Sequence, residues 1–339
     1  MLIGFDNIGN TCYINSCLQV LLSTDELLNI MDESIEDVNN EWITTGRIKM
    51  DKEGSNRILV YELYMLYKDV KRGLEGNNGE EVVIMKPTRF VRTVHKVAEM
   101  KNMDMFTRVG EQSDISEFFM FVVDSIHMAY SKPNKNPQLM NMNIYNDKIS
   151  KKCIEMLKSI YEKEYSSVMN LFYGVQITEI SVMSTLKKSY VAEQFFVLNL
   201  SIPGKNNTYS LYECLNEYVS SEIIMEGEKK KRTTFWMLPK ILVICIKRFD
   251  YSGRKNMSMV TYPVKDLDMG AYMDRAILYD LKYDLYAVSN HIGGMSSGHY
   301  MSYVSSDGKW YYKDDEVVRY IEETNIVSNN AYCLFYRKK

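Results

Sequence analysis

The spacing of apolar residues changes near Tyr173, and this change constrains the fold more than any other feature of the chain. Before it, apolar residues recur at helical spacing, three and four positions apart. After it, short apolar and aromatic runs are bounded by turn residues, a pattern typical of strands. Because the helices precede the strands instead of alternating with them, the pattern predicts an α+β fold.

Composition and charge exclude several classes of protein. The 339 residues contain 41 Lys and Arg against 44 Asp and Glu, so the net charge of −3 provides no basic field for nucleic acid. No stretch approaches the roughly 18 uncharged apolar residues of a membrane span. The N-terminus also lacks the basic and apolar regions of a signal peptide. We therefore expect no nucleic-acid partner and no membrane partner.

The six cysteines are sparse, and no two of them are spaced as CxxC. The sequence therefore suggests neither a disulfide framework nor a CxxC zinc site. Cysteines used in this way are usually reduced thiols. We expect an intracellular protein, in the cytoplasm, the nucleus or both.

Cys12 lies at the start of a predicted amphipathic helix. Five apolar residues follow at the spacing i, i+3, i+4, i+7 and i+8, namely Ile14, Cys17, Leu18, Leu21 and Leu22. At about 100° per residue, their mean direction is roughly opposite to that of Cys12. The helix dipole favours a thiolate in the first turn, and the thiolate is the form that attacks carbonyl groups. Taken alone, a single cysteine is more often a small buried apolar residue.

A thiol nucleophile needs a base, and the chain contains four histidines. His127 ends a predicted helix, and His95 lies in a helical region without acidic or cysteine neighbours, so we expect both to be structural. His299 differs because it follows the glycine-rich loop 293–298 and begins a predicted strand over 300–304. His299 is therefore the candidate base.

The partner of His299 depends on the length of the following turn. If residues 305–308 form a four-residue loop, the register of the hairpin places His299 opposite Asp314. Directly opposed residues have Cβ atoms about 5 Å apart, within reach of a histidine–carboxylate hydrogen bond. A two-residue loop instead pairs His299 with Glu316. In a further alternative, Asp314 and Asp315 simply form a solvated turn.

Several segments together resemble the ubiquitin-specific protease family, the papain-like deubiquitinases. Residues 4–19 resemble the cysteine box of that family almost throughout, and 283–303 resemble its histidine box. Shorter matching segments lie at 112–118, 238–249 and 310–315. All of them occur in the family order, and with the closing strand they span residues 4 to 336. Each segment alone is weak evidence, but the ordered set is specific.

The resemblance implies roles for five residues. Cys12 matches the nucleophile, His299 matches the base, and Asp314 matches the residue that orients the base. Asn7 matches the side-chain donor to the oxyanion. Asp315 matches a neighbouring acid that assists or substitutes for the orienting residue in some members.

Four further residues match substrate-binding positions of the family. Gln112, Asp114 and Glu117 match positions that hold the ubiquitin tail, which is rich in arginine and ends in Gly-Gly. Carboxylates at the start of a helix can pair with guanidinium groups. Asp114 and Glu117 also fit an N-terminal helix cap, and both interpretations can hold together. His291 matches a residue in the substrate-facing loop.

The resemblance also implies an architecture, that of a papain-like cysteine protease with a helical thumb and a β-rich palm and fingers. We expect a single catalytic domain over residues 1–339. The expected boundaries are about 1–172 for the thumb, about 173–238 for the fingers and about 239–339 for the palm.

The fingers depart from the family pattern. Many relatives hold a zinc ion there with two CxxC pairs. Here Val182 and Thr185 stand where the first pair falls, and the region of the second pair is shortened to 226–232. The departure implies fingers without a metal and no cofactor, and it leaves the preference for ubiquitin chains open.

The function that the resemblance implies is deubiquitination. The thiol is expected to hydrolyse the isopeptide or peptide bond after the C-terminal glycine of ubiquitin through an acyl-enzyme. The expected partners are ubiquitin and ubiquitinated proteins, and we expect a monomer. Two alternatives remain: a pseudoenzyme that binds ubiquitin without cleaving it, and a protease for another ubiquitin-like modifier.

Overall fold

The computed structural model describes residues 2–45, 52–76, 81–107, 110–134, 147–204, 206–225, 227–274, 281–295 and 297–339. Its helices are α1 (Cys12–Leu21), α2 (Asp25–Thr45), α3 (Lys52–Gly76), α4 (Thr88–Met100), α5 (Ile115–Tyr130), α6 (Lys148–Tyr161), α7 (Ser167–Phe172) and α8 (Leu211–Val219). Single 3-10 turns lie at Asp104–Phe106, Gly270–Tyr272 and Glu323–Asn325.

The first strands in the chain are β1 (Ile3–Phe5), β2 (Val83–Met85), β3 (Gly174–Val182), β4 (Lys188–Phe195), β5 (Val197–Ser201), β6 (Thr208–Ser210), β7 (Glu222–Ile224) and β8 (Lys229–Met237). The later strands are β9 (Ile241–Lys247), β10 (Met259–Thr261), β11 (Leu267–Asp268), β12 (Lys282–Ile292), β13 (His299–Ser306), β14 (Lys309–Asp314), β15 (Val317–Ile321) and β16 (Ala331–Lys338).

The strands form two main sheets. The large sheet has eight strands in the order β15–β14–β13–β12–β16–β9–β5, with β11 paired to β12 off this path. The small sheet has four strands in the order β4–β3–β8–β7. Two short parallel pairs, β1 with β2 and β6 with β10, lie outside these sheets. Helices α1 to α7 all precede β3, which confirms the predicted α+β fold.

Strand β9 of the large sheet is buried on both faces, which explains its continuous apolar run. Val243 and Cys245 point towards the helical lobe, which is formed by α1 to α5 and α7, and share one core cluster with it. Leu242 and Ile244 point to the opposite face and pack in a second cluster, which includes residues of α8. The helical lobe and α8 therefore lie on opposite faces of the large sheet.

Helix α1 lies between the large sheet and the rest of the helical lobe. The sequence predicts one buried face, but all ten residues of α1 are buried. Its polar side chains Asn15, Ser16 and Gln19 each make hydrogen bonds inside the protein, although the side-chain oxygen of Asn15 has no described partner. Ser16 Oγ lies 2.9 Å from Ser289 Oγ and 2.6 Å from Ser302 Oγ, on strands β12 and β13. These hydroxyl contacts explain how a helix with polar residues can be covered on every side.

The range expected for the fingers is interrupted in space. Strands β3, β4, β7 and β8 form the small sheet, and one face of it packs against α6 through Val175, Ile177 and Trp236. Strand β5 instead joins the edge of the large sheet, where it pairs in parallel with β9. The chain therefore leaves the small sheet after β4 and returns to it at β7.

Candidate active site

Cys12 is the first residue of α1 and is 1% exposed. The loop before it contains Gly9 and Asn10, both with positive φ, and the side-chain oxygen of Asn7 accepts from the backbone N–H groups of Gly9 at 3.2 Å and Thr11 at 3.1 Å. This turn places the thiol at the positive end of the α1 dipole. Cys17 is fully buried, and burial raises the pKa of its thiol. Of the two thiols in α1, Cys12 therefore has the environment that favours a nucleophile.

His299 begins β13, and its Nε2 atom lies 2.6 Å from Oδ1 of Asp314 at the end of β14. The hydrogen bond with the Cys12 thiol is the largest cause that raises the pKa of His299 to about 9. Partial burial opposes this rise, and the hydrogen bond to Asp314 adds to it. The structure thus brings Cys12, His299 and Asp314 together, with the ring between the thiol and the carboxylate.

The hairpin register differs from the one that predicted this pair. The turn has two residues, Asp307 and Gly308, and Ser306 pairs with Lys309. Both turn residues have positive φ, as the favoured two-residue hairpin turns with Asp-Gly require. The prediction of a four-residue loop was therefore wrong. The pairing between β13 and β14 extends only to Ser302 and Lys313 and does not include His299. The side chain of His299 therefore reaches Asp314 diagonally across the two strands.

Asn7 and Asp315 form a second hydrogen-bonded pair beside the thiol. The side-chain N–H of Asn7 donates to Oδ2 of Asp315 at 2.8 Å, and that of Asn15 donates to Oδ1 at 2.8 Å. Both oxygens of Asp315 therefore face asparagine side chains. An amide nitrogen carries two hydrogens, so Asn7 has one left beyond this bond. Asn15, three residues after Cys12, is a site neighbour that the sequence analysis missed.

Gln112 contacts the loop before β13, and Asp114 contacts β16. The side-chain N–H of Gln112 donates to the carbonyl oxygen of Gly298, the residue before His299. Asp114 caps α5, because its Oδ1 accepts from the backbone N–H of Ser116 at 2.7 Å, and its Oδ2 accepts from the Tyr332 hydroxyl. The capping interpretation of Asp114 is therefore correct.

His291 lies on β12 and not in a loop, contrary to the prediction. It is 2% exposed, with its ring against Phe249 and Tyr300. Burial, followed by the charge of Lys255, lowers the pKa of His291 to about 4. A Cβ added at Gly298 would lie 1.9 Å from Nε2 of His291, so only glycine fits over this ring. His291 supports the loop before His299 from below.

Glu117 lies on the rim of an apolar groove with a volume of 440 Å³. Partial burial and the nearby Asp114 raise the pKa of Glu117. Phe121 and Phe196 line the groove, and Asp124 provides a second carboxylate. Asp124 follows Glu117 by seven positions, which places both on one face of α5. Helical spacing from Glu117 was the signal in the sequence that could have identified Asp124.

A larger polar hollow of 540 Å³ lies between the two sheets. The large sheet contributes Asn199, Ser201 and Lys247 to it, and the small sheet contributes Gln176 and other polar residues. Lys247 follows Cys245 by two positions on β9 and so shares its face. Glu217 and Tyr218 of α8 also line the hollow.

The hairpin ends of the small sheet are joined by backbone hydrogen bonds. Val182 ends β3, Thr185 follows in the turn, and the backbone N–H of Met183 donates to the carbonyl oxygen of Glu228 at 2.8 Å. Within 226–232, Glu226 lies outside the described residues. The side chains described at these ends do not provide the thiolate and imidazole set that a structural zinc ion needs. Fingers without a metal therefore remain a prediction.

Among the described residues, no helix combines the length and the apolar character needed to cross a lipid bilayer.

Comparison with known proteins supplies the family. The family model described as "Ubiquitin carboxyl-terminal hydrolase" matches residues 3–336. Ubiquitin carboxyl-terminal hydrolase 4 of Vanderwaltozyma polyspora is 28% identical, over 99% of this chain and 41% of its own length. Ubiquitin carboxyl-terminal hydrolase 2 of Homo sapiens is 26% identical, over 99% of this chain and 55% of its own length. The chain thus spans about half the length of these curated relatives.

Solved structures show the same fold. In the SAGA DUB module Ubp8/Sgf11/Sus1/Sgf73 bound to monoubiquitin, the matching chain aligns with a TM-score of 0.68 and 22% identity, over 99% of this chain and 69% of that chain. The matching chain of the same module bound to ubiquitin aldehyde aligns with a TM-score of 0.67 and 21% identity, over 99% of this chain and 69% of that chain. The match of the family model to residues 3–336 covers nearly the whole chain, and the chain therefore belongs to the ubiquitin carboxyl-terminal hydrolase family.

Proposed function

We propose that this chain is a cysteine-type deubiquitinase that hydrolyses the isopeptide or peptide bond after the C-terminal glycine of ubiquitin. The observation that carries the proposal is the arrangement of Cys12, His299 and Asp314, with Nε2 of His299 hydrogen-bonded to Asp314 at 2.6 Å and the Cys12 thiol raising the pKa of the same ring. A thiol, a base and a carboxylate that orients the base are the groups that thiol-dependent acyl transfer requires. Membership of the family supports the choice of ubiquitin as the modifier.

The proposed reaction follows from these three side chains and Asn7. The Cys12 thiolate attacks the carbonyl carbon of the terminal glycine, and the oxyanion that forms accepts a hydrogen bond from the Asn7 side chain. The protonated His299 ring then gives its proton to the leaving lysine amine, which leaves an acyl-enzyme on Cys12. Water, activated by the now neutral His299, releases ubiquitin and restores the thiol.

The lining of the groove along α5 is suited to a substrate tail that carries both basic and apolar side chains. Glu117 and Asp124 provide carboxylates for guanidinium groups, while Phe121 and Phe196 provide apolar contact. This combination suits the ubiquitin tail, which is rich in arginine and ends in Gly-Gly. In this proposal Gln112 and Asp114 lie beside the tail, and His291 acts indirectly by supporting Gly298.

The proposal extends to partners and setting. The solved modules to which this fold is similar are bound to monoubiquitin or to ubiquitin aldehyde, which supports ubiquitin and ubiquitinated proteins as the partners of this chain. We further propose a monomer that acts inside the cell, with no cofactor and with neither nucleic acid nor membrane as a partner. The sparse thiols and the net charge of −3 support this extension.

Ubiquitin with a thiol-trapping group at its C-terminus tests the proposal directly. We expect a covalent adduct with the wild type and no adduct with Cys12→Ala. Cys17→Ala is the matched control, because Cys17 lies in the same helix but is fully buried, and this variant should still form the adduct.

Two results would contradict the proposal. Adduct formation only with a probe built on another ubiquitin-like modifier would identify a protease for that modifier. Binding of ubiquitin by a folded wild type that forms no adduct and releases no product would identify a ubiquitin-binding pseudoenzyme.

A further inference from the structure

The carboxylate of Asp314 has a second donor besides His299. The hydroxyl of Tyr312 donates to Oδ2 of Asp314 at 2.6 Å, while Oδ1 faces Nε2 of His299 at 2.6 Å. Each oxygen of the carboxylate is therefore held by a different side chain. Torsions that end in a carboxylate are broad, so one bond leaves the group free to turn, whereas two bonds fix its plane.

The ring of Tyr312 is itself held by its neighbours across the large sheet. Tyr312 pairs with Tyr303 on β13 and with Arg319 on β15. The Arg319 guanidinium lies 4.2 Å from the centre of the Tyr312 ring, and the Tyr303 ring centre lies 6.0 Å away. These contacts fix the direction of the phenol before any substrate arrives.

Tyr312 also keeps its proton at the pH at which the site would work. Burial, followed by the hydrogen bond to Asp314, raises the pKa of Tyr312 to about 12. The phenol is therefore a donor at neutral pH, and the negative charge stays on the carboxylate.

We propose that Tyr312 is a positioning residue for the hydrolysis proposed above, acting through Asp314 on His299, and that Arg319 holds its ring in place. This inference rests on the proposed function for its effect on rate. The inference also states that Tyr312 controls the His299 ring through Asp314. This effect does not require turnover and can be measured separately.

The kinetic test compares Tyr312→Phe with the wild type on a ubiquitin substrate. Loss of one hydrogen bond to a charged group is expected to lower kcat about tenfold, with KM unchanged, because the substrate does not touch the phenol. Tyr311→Phe is the matched control, since Tyr311 directly precedes Tyr312 in β14 and points to the other side of the strand. The control is expected to keep the wild-type kcat.

A double-mutant cycle separates positioning from a general structural effect. If Tyr312 acts through Asp314, the change Tyr312→Phe has no further effect on kcat once Asp314 is Asn. Equal loss of kcat in both backgrounds overturns the proposal, because it shows that Tyr312 acts elsewhere.

Arg319→Leu should also lower kcat, but by less than Tyr312→Phe does. An unchanged kcat removes Arg319 from the proposal.

NMR titration of the His299 ring tests the same link without turnover. In Tyr312→Phe, the pKa of His299 is expected to shift, and the shift should vanish when Asp314 is Asn. An unchanged pKa in Tyr312→Phe overturns the proposal. If the wild type fails to react with ubiquitin, the proposed function fails, but this titration still decides whether Tyr312 positions Asp314.

Discussion

At the scale of single residues, the protonation of His299 sets the pH range in which the site can work. The thiol and the carboxylate raise the pKa of this ring to about 9, so the imidazolium persists below that pH and is lost as the pH rises through it. We predict that kcat/KM on a ubiquitin substrate falls with an apparent pKa near 9. In Asp314→Asn this alkaline limb should move to lower pH, because one cause that raises the pKa is removed. A pH–rate profile of both proteins measures the shift.

Asp315→Asn is the matched comparison for this prediction. Asp315 is adjacent to Asp314 but hydrogen-bonds to Asn7 and Asn15. This substitution should therefore lower kcat by disturbing Asn7, while the alkaline limb stays where the wild type has it. An alkaline limb that moves in Asp315→Asn and not in Asp314→Asn would reverse the roles of the two acids.

The resemblance to the family and the four-residue loop both pointed to Asp314, but that loop was wrong, so counting residues did not predict the contact between His299 and Asp314. The Asp307-Gly308 dipeptide is a strong signal for a two-residue turn, and it places Glu316 on the extrapolated register opposite His299. The side chain of His299 reaches diagonally across the strands, and its partner is therefore Asp314 and not Glu316. Pairing near the end of a strand depends on such reach and on local twist, and neither is visible in residue types.

At the scale of elements, the contact between β14 and α1 contains a buried lysine that the apolar pattern does not predict. Lys313 is 3% exposed, and its ammonium donates to Oε1 of Gln19 at 2.7 Å. Gln19 in turn donates to the carbonyl oxygen of Ile3 at 2.8 Å. One polar chain thus joins the strand that carries Asp314, the helix that carries Cys12 and the strand before Asn7.

The titration of Lys313 makes the stability of the fold depend on pH. Burial lowers the pKa of Lys313 from 10.5 to about 7 in the folded chain. Between these values the unfolded chain binds a proton that the folded chain lacks, so raising the pH stabilises the folded state; below about 7 both states are protonated and the contribution is constant. Each pH unit contributes at most about 1.4 kcal/mol.

We predict that Lys313→Met removes this slope. The difference in unfolding free energy between wild type and variant should change by roughly 4 kcal/mol from pH 7 to pH 10, in favour of the wild type at high pH. Urea unfolding across this pH range measures it. Lys309→Met is the control, because Lys309 is exposed on the same strand and its replacement should leave the slope intact. A slope unchanged by Lys313→Met would mean that Lys313 does not titrate in the folded chain.

At the scale of the whole molecule, the order of helices and strands was predictable, whereas the path of the chain through the two sheets was not. The change in apolar spacing near Tyr173 coincides with the end of α7 and the start of β3. Strand β5 follows β4 after a single residue, yet it belongs to the other sheet. Its apolar residues Leu198 and Leu200 fit either sheet, so the choice depends on long-range packing that residue patterns do not record.

We predict that the hollow between the sheets is a second place of contact for the proposed substrate, away from the thiol. If the ubiquitin body fills this hollow, its contacts contribute binding energy that a short tail peptide cannot use. We predict that Asn199→Trp, which places a large ring in the hollow, raises KM for a ubiquitin substrate about tenfold and leaves hydrolysis of a tail peptide ending in Gly-Gly unchanged. Asn216→Trp is the control, since Asn216 is exposed on α8 and is not among the residues that line the hollow. Steady-state kinetics on both substrates decide the outcome. Equal losses on ubiquitin and peptide would show that the substitution disturbs the catalytic residues, and no loss on either would place the ubiquitin body outside the hollow.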